Sequence, residues 1–125
     1  MNAVTSSEDV LKELGECKCG CGETHGKVKV GFQRMKEGIE IPTYKHNGDA
    51  CMDLRVYPDQ AITVGPNQCH VFDSFIKFNI PEGHVMMVYP RSGLGIKSGI
   101  VLRNLTGVID SNFTDTVKVG LVNNS

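Results

Sequence analysis

From residue 27 onward, apolar and polar residues alternate in short runs separated by turn residues. Val28, Val30 and Phe32 alternate with Lys27, Lys29 and Gly31, the period of a strand with one buried face. Residues 38–44 form a short extended piece cut by Pro42, and residues 45–49 a polar turn. Met52, Leu54 and Val56 alternate with Asp53 and Arg55, which sets both charged side chains on the face away from the apolar ones. Pro58-Asp59 and Gly65-Pro66-Asn67 bracket an extended segment over 61–64. Phe72, Ile76, Phe78 and Ile80 alternate with Asp73, Lys77 and Asn79, predicting one strand with a wet face. Pro81-Glu82-Gly83 then turns the chain into residues 84–89, apolar on both faces, as expected at the centre of a pile of sheets. Val117, Val119 and Leu121 carry the last alternation. Strands recurring about every 8–12 residues predict an all-β sandwich or barrel, with helix only at the start.

Residues 1–26 have a different composition and are expected to form an N-terminal extension to a β domain over 27–125. Ser6 or Ser7 can cap a short helix carrying Val10, Leu11 and Leu14 on one face, closed by Gly15. So short a helix must dock to be stable. Cys17, Cys19, Cys21 and His25 follow, three thiols and an imidazole that make a possible tetrahedral zinc set. The Cys-x-Cys-x-Cys spacing differs from the familiar Cys-x2-Cys, and the alternative is a Gly-rich loop with reduced thiols. His46, His70 and His84 are scattered and read as surface residues, Cys51 and Cys69 as core residues.

At 125 residues the chain has room for one core. Thirteen basic against fourteen acidic residues, a net charge of −1, argue against a nucleic-acid-coating surface. No apolar run reaches the ~18 residues of a membrane span, and no signal-peptide pattern opens the chain. No membrane or nucleic-acid partner is expected. Five cysteines, three of them crowded together, do not resemble a secreted disulfide framework. A reducing, cytoplasmic setting is expected.

The chemistry concentrates in residues 89–113, YPRSGLGIKSGIVLRNLTGVIDSNF. Pro90 stops the preceding strand, having no N–H for a ladder. Arg91, Ser92 and Gly93 offer a cation, a hydroxyl and a residue without Cβ, and Gly93 and Gly95 let the backbone approach a ligand so that N–H groups point at phosphate oxygens. Asn104 offers an amide able to read a base edge. Gly107-Val108-Ile109-Asp110 ends on a carboxylate, and the ring of Phe113 follows. Phosphate cradle, base reader, carboxylate and ring together read as a nucleotide site; the alternative is two ordinary hairpins whose turns need Gly and Asn.

Pro90-Arg91-Ser92-Gly93-Leu94-Gly95-Ile96-Lys97-Ser98-Gly99-Ile100 and Asn104-Leu105-Thr106-Gly107-Val108-Ile109-Asp110-Ser111-Asn112-Phe113 resemble the second and third motifs of the trimeric dUTPase family, the dUTP diphosphatases. Ala50-Cys51-Met52-Asp53-Leu54 resembles the first. The likeness implies a distorted jelly-roll barrel and hydrolysis of dUTP to dUMP and pyrophosphate by water attack on the α-phosphate. By resemblance Arg91, Ser92 and the N–H groups near Gly93 grip phosphates, and Asp53 supports a hydrated Mg²⁺ through water. Asn104 with Gly107, Val108 and Ile109 encloses uracil, Phe113 packs against deoxyribose, Lys118 touches substrate, and Asp110 is the base. The working form implied is a homotrimer with shared sites, Asp110 from one subunit and Arg91 from its neighbour.

Several positions depart from the family pattern. Phe113 stands where the family usually has Tyr, Asp115 where Gly is common, and Cys51-Met52 replaces Gly-Tyr. Asn124-Ser125 precedes the family's fourth and fifth motifs, so a truncated domain lacking its last strands is expected. Two rivals remain at this point. A dCTP deaminase would carry Arg-Ser-Ser, a further Arg and a Glu base, against which stand Arg91-Ser92-Gly93 and Asp110. A non-catalytic nucleotide-binding module of the same fold would keep the pocket as a regulatory switch.

Overall fold

The computed structural model describes residues 28–125. The expected upstream helix and the Cys17, Cys19, Cys21 and His25 set lie outside them. Among the described residues seven strands and one short helix follow in order: β1 (Gly31–Arg34), β2 (Cys69–Asp73), β3 (Ile76–Asn79), β4 (Val85–Val88), α1 (Ser92–Ser98), β5 (Ile100–Leu102), β6 (Gly107–Asp110) and β7 (Lys118–Asn123). They pair as three small antiparallel sheets, β1-β3, β2-β7-β5 and β4-β6. This is the all-β class expected, a distorted jelly roll with one helical insertion.

The core follows from the alternation. Ile76, Phe78 and Ile80 of the β3 run turn inward to join Ile39 and Val117, each at most 6% exposed. Phe32, opposite Phe78 on β1, meets it edge to face with ring centroids 5.2 Å apart. Met86, Val88 and Ile109 bring the β4-β6 sheet against the same cluster. Burying a side chain such as Ile76 stabilises by about 1.5–3 kcal/mol.

The run from Phe72 to Ile80, expected as one strand, is two. Phe75 takes a positive φ of 53°, and there the chain leaves the β2-β7-β5 sheet for the β1-β3 sheet. Asp73 accepts the Phe75 N–H at 2.8 Å and the Thr116 hydroxyl at 2.9 Å. The Ser74 hydroxyl accepts the Ile76 N–H at 3.2 Å, and the Ser74 N–H reaches the Val117 carbonyl at 3.1 Å. Local side-chain bonds thus replace ladder bonds at the corner.

Other expectations change as well. Residues 52–56 and 61–64 form no strand and pair with none among the described residues, although Met52, Leu54 and Val56 are half-buried and Asp53 and Arg55 exposed as their alternation predicts. The strand expected over 84–89 is not buried on both faces, since Val85 is 50% and Met87 42% exposed. Among the described residues its one partner is β6, and only Met86 and Val88 face the core. Cys51 is exposed and Cys69 half-buried rather than core, while His46, His70 and His84 are exposed as expected.

Helix α1 occupies what reads as a loop. Arg91 is its extended N-cap (φ −70°, ψ 130°), and Gly99 ends it at φ 65°, donating its N–H back to Gly95 and Leu94 carbonyls. That left-handed conformation suits glycine, the usual residue just past a helix. Nothing in the helix is buried, so Leu94 and Ile96 give no amphipathic signal by which the sequence would announce it.

Candidate functional site

The turn between β5 and β6 and the facing strand β7 enclose a cleft of ≈ 480 Å³. Of the residues predicted from sequence, Asn104, Gly107, Val108, Ile109 and Lys118 line it, with Val88, Leu102, Val117 and Val119 among its apolar walls. Asn104 sits in a tight turn: the Leu105 N–H reaches the Leu102 carbonyl at 3.0 Å and the Thr106 N–H the Asn104 carbonyl at 2.6 Å. Leu105 pays for this with a positive φ of 64°. Gly107 is opposite Val88, and a Cβ there would stand 3.1 Å from the Val88 Cβ, so glycine is what lets β4 and β6 approach.

Along β6 the side chains alternate. Ile109 packs on the core, while Val108 and Asp110 point outward. Asp110 is exposed at the strand end, across from Val85. The following turn closes through its backbone, the Phe113 N–H donating to the Asp110 carbonyl at 3.1 Å. The carboxylate is therefore not the group that closes the turn. Phe113 is 38% exposed.

The predicted phosphate-binding residues lie at the start of α1, outside the cleft lining. Arg91 Nη1 stands 3.6 Å from Asp53 Oδ2, with the side chains 70% and 50% exposed. A solvated pair of this kind is worth little in stability but places the segments around Asp53 and Arg91 side by side. Ser92 and Gly93 form the first helical turn, where backbone N–H groups lack intrahelical acceptors. A Cβ on Gly93 would meet nothing within 4 Å, so the fold of this chain does not itself require glycine there. Among the described residues no group of three or more His, Cys, Asp and Glu is placed to chelate a metal. A single exposed carboxylate such as Asp53 fits contact with a hydrated Mg²⁺ through water, not direct capture of a bare ion.

Lys118 reaches the cleft from β7 with its ammonium 3.3 Å from Asp115 Oδ2 and 3.8 Å from Asp73 Oδ2. The Thr116 N–H, at 2.7 Å, and Lys118 hold the Asp115 carboxyl below the usual carboxylate range.

A sequence profile of the dUTPase family matches residues 37–125. The chain belongs to the dUTPase family. The deoxyuridine 5'-triphosphate nucleotidohydrolase of Idiomarina loihiensis is 39% identical over 103 residues, covering 82% of this chain and 68% of that protein. Its counterpart in Fusobacterium nucleatum is 40% identical over 97 residues, 78% of this chain and 66% of that one. The solved dUTPase of phage phi11 of S. aureus, described with a structural Mg(II) ion, superposes with a TM-score of 0.68 at 25% identity, over 77% of this chain and 60% of that one. The chain thus spans about two thirds of the length of these bacterial relatives.

Beyond the dUTPase motifs, sequence reasoning missed Arg103, which lines the cleft, and Asp73, which lies behind Lys118. Arg103 directly precedes Asn104, and that adjacency to an amide expected to read a base was the available signal. For Asp73 there was none, because its contact with Thr116 spans 43 residues.

Proposed function

We propose that the chain carries the dUTP diphosphatase site of its family, splitting dUTP into dUMP and pyrophosphate. The observation that carries this reading is the cleft between the β5-β6 turn and β7. It gathers Asn104, the Gly107–Ile109 edge and Lys118, with Asp110 at the end of the same strand. Uracil presents two carbonyls and one N–H, which an amide and a strand edge can pair. A base with an exocyclic amine or a 5-methyl group would leave buried polar groups unpaired or clash.

Hydrolysis requires a water in line with the α-phosphorus and a group to orient it and take its proton. Asp110 carries an acceptor on a rigid strand end and serves as that base, with general-base help worth about 10²- to 10⁴-fold. Arg91, the Ser92 hydroxyl and the N–H groups of the first turn of α1 hold the phosphate oxygens as charge shifts toward pyrophosphate. Mg²⁺, when bound to the triphosphate, neutralises part of its charge, and Asp53 meets its water shell. Arg91 and Ser92 lie outside the lining of the cleft of their own chain. That separation supports a homotrimer in which Arg91 of one subunit completes the cleft of another. Five cysteines, three of them crowded together, favour a reducing, cytoplasmic setting over a secreted one.

The test is Asp110→Asn, with pyrophosphate release and binding of a non-hydrolysable dUTP analogue measured on the same preparation. Binding is expected to stay near the parent value while kcat falls by about 10²- to 10⁴-fold, the pattern of an interaction made in the transition state. Turnover at the parent rate would remove Asp110 from the role. A parent that binds the analogue without releasing pyrophosphate would favour the binding-module reading.

A further inference from the structure

Among the described residues, the charged ones lining the cleft are Arg103 and Lys118, with no carboxylate beside them. The two cations are not equivalent. Lys118 is held between Asp115 and Asp73, so much of its field is offset. Arg103 forms no ion pair among the described residues. Its backbone is fixed, its N–H donating to the Gly120 carbonyl at 2.8 Å, and its Cβ lies 3.6 Å from the Cβ position of residue 120. Gly120 also lines the cleft, so Arg103 leaves the sheet beside a residue with no side chain to obstruct it. The next residue is Asn104. A guanidinium and a base-reading amide are thus carried on consecutive positions of one hydrogen-bonded turn.

A neutral base does not call for a cation, because Asn104 and the β6 edge already provide neutral donors and acceptors. A guanidinium with no carboxylate at hand among the described residues is matched by an anionic oxygen, to which it gives charge-assisted hydrogen bonds. The anionic oxygens of a nucleotide are those of its phosphates. We propose that Arg103 is a further substrate-binding residue, its guanidinium taking an anionic phosphate oxygen of the nucleotide whose base lies in the cleft. The proposal rests on the uracil-nucleotide reading of the site. It makes Arg103 a source of discrimination between nucleotide and nucleoside, separate from the discrimination between bases.

The experiment is calorimetric titration of the full chain and of Arg103→Gln and Arg103→Lys with deoxyuridine, dUMP and a non-hydrolysable dUTP analogue, at low and high salt. Circular dichroism of each variant checks that the fold is kept, as expected for an exposed side chain. Arg103→Gln is expected to weaken dUMP and the analogue by about tenfold, the scale of a charge-assisted hydrogen bond at a partly solvated site. Deoxyuridine should change by less than about twofold. Arg103→Lys should keep part of the phosphate preference, and the parent's preference should fall with salt more steeply than that of Arg103→Gln. An equal loss for deoxyuridine, or no loss for any ligand, overturns the proposal. Titration of the parent with dCMP separates the two readings. If the parent takes dCMP as well as dUMP while Arg103→Gln loses both, Arg103 stands and the uracil reading falls. A parent that binds no nucleotide overturns both.

Discussion

Replacing Asp73 by alanine should loosen the corner where the chain passes from the β2-β7-β5 sheet to the β1-β3 sheet. The carboxylate accepts the Phe75 N–H at 2.8 Å and the Thr116 hydroxyl at 2.9 Å, and Lys118 adds a longer contact at 3.8 Å. Thr116 is only 8% exposed, so its hydroxyl loses a partner with little water to replace it. A hydrogen bond to a charged group contributes about 1.5–3 kcal/mol and an orphaned buried donor costs about 1–3. The Asp73 side chain is 23% exposed, which lets water reach part of the site and brings the expected loss to about 2–4 kcal/mol. Part of it arises at Phe75, whose φ of 53° is held by its N–H donating to the Asp73 carboxylate. Asp73→Asn keeps an oxygen for the Phe75 N–H and a polar group for Thr116, so it should cost about 1 kcal/mol or less. Urea denaturation followed by far-UV circular dichroism at matched protein concentration measures both, as midpoint shifts at unchanged slope. An alanine variant within about 0.5 kcal/mol of the parent, or an asparagine variant as weak as the alanine one, would refute the account of the corner.

The lowered Asp115 carboxyl predicts a pH dependence. Its pKa is depressed in the folded chain by the Thr116 N–H and Lys118, so its contribution is complete above the ordinary carboxylate range and is lost as pH falls through the folded pKa. The stability difference between parent and Asp115→Asn should therefore hold from pH 6 to 8 and shrink below about pH 4, as urea titrations across pH would show; a difference that grows on acidification contradicts the assignment. For the shared site, mixing Asp110→Asn with Arg91→Ala chains should restore part of the pyrophosphate release that each lacks alone. No recovery after demonstrated subunit exchange counts against sharing.

The parts legible in the sequence were those where one face of a strand is buried by its own neighbours. Val30, Phe32, Ile76, Phe78 and Val119 read correctly because a period of two survives in side-chain identity. The same period over residues 52–56 correctly told which side chains face in, yet said nothing of backbone pairing, which is absent there. Helix α1 was hidden by Gly93, Gly95 and Pro90, residues that punctuate loops, and by the lack of any buried face. The switch at Ser74 and Phe75 was invisible because Ile76 keeps the inward parity that an unbroken strand would also give. Within the site, Asn104, Gly107, Val108 and Ile109 belong to one contiguous stretch and converge in one cleft. Arg91 and Asp53 come from separate stretches and meet each other instead.

The alternation along β6 ties the outward face of Asp110 to the inward packing of Ile109. Ile109 packs on the core and Asp110, one residue on, points out. A residue added to or lost from this strand would exchange their faces, turning a carboxylate toward Phe78 and Ile80 and an isoleucine toward water. The count of residues from Gly107 to Asp110 is therefore fixed by packing, as is the glycine that lets β4 approach. Tolerance for inserted sequence belongs elsewhere, in exposed bends such as residues 45–49 and 58–60. Neither bend contributes a residue to the cleft lining, so a tag or recognition loop grafted there should leave the cleft as it is.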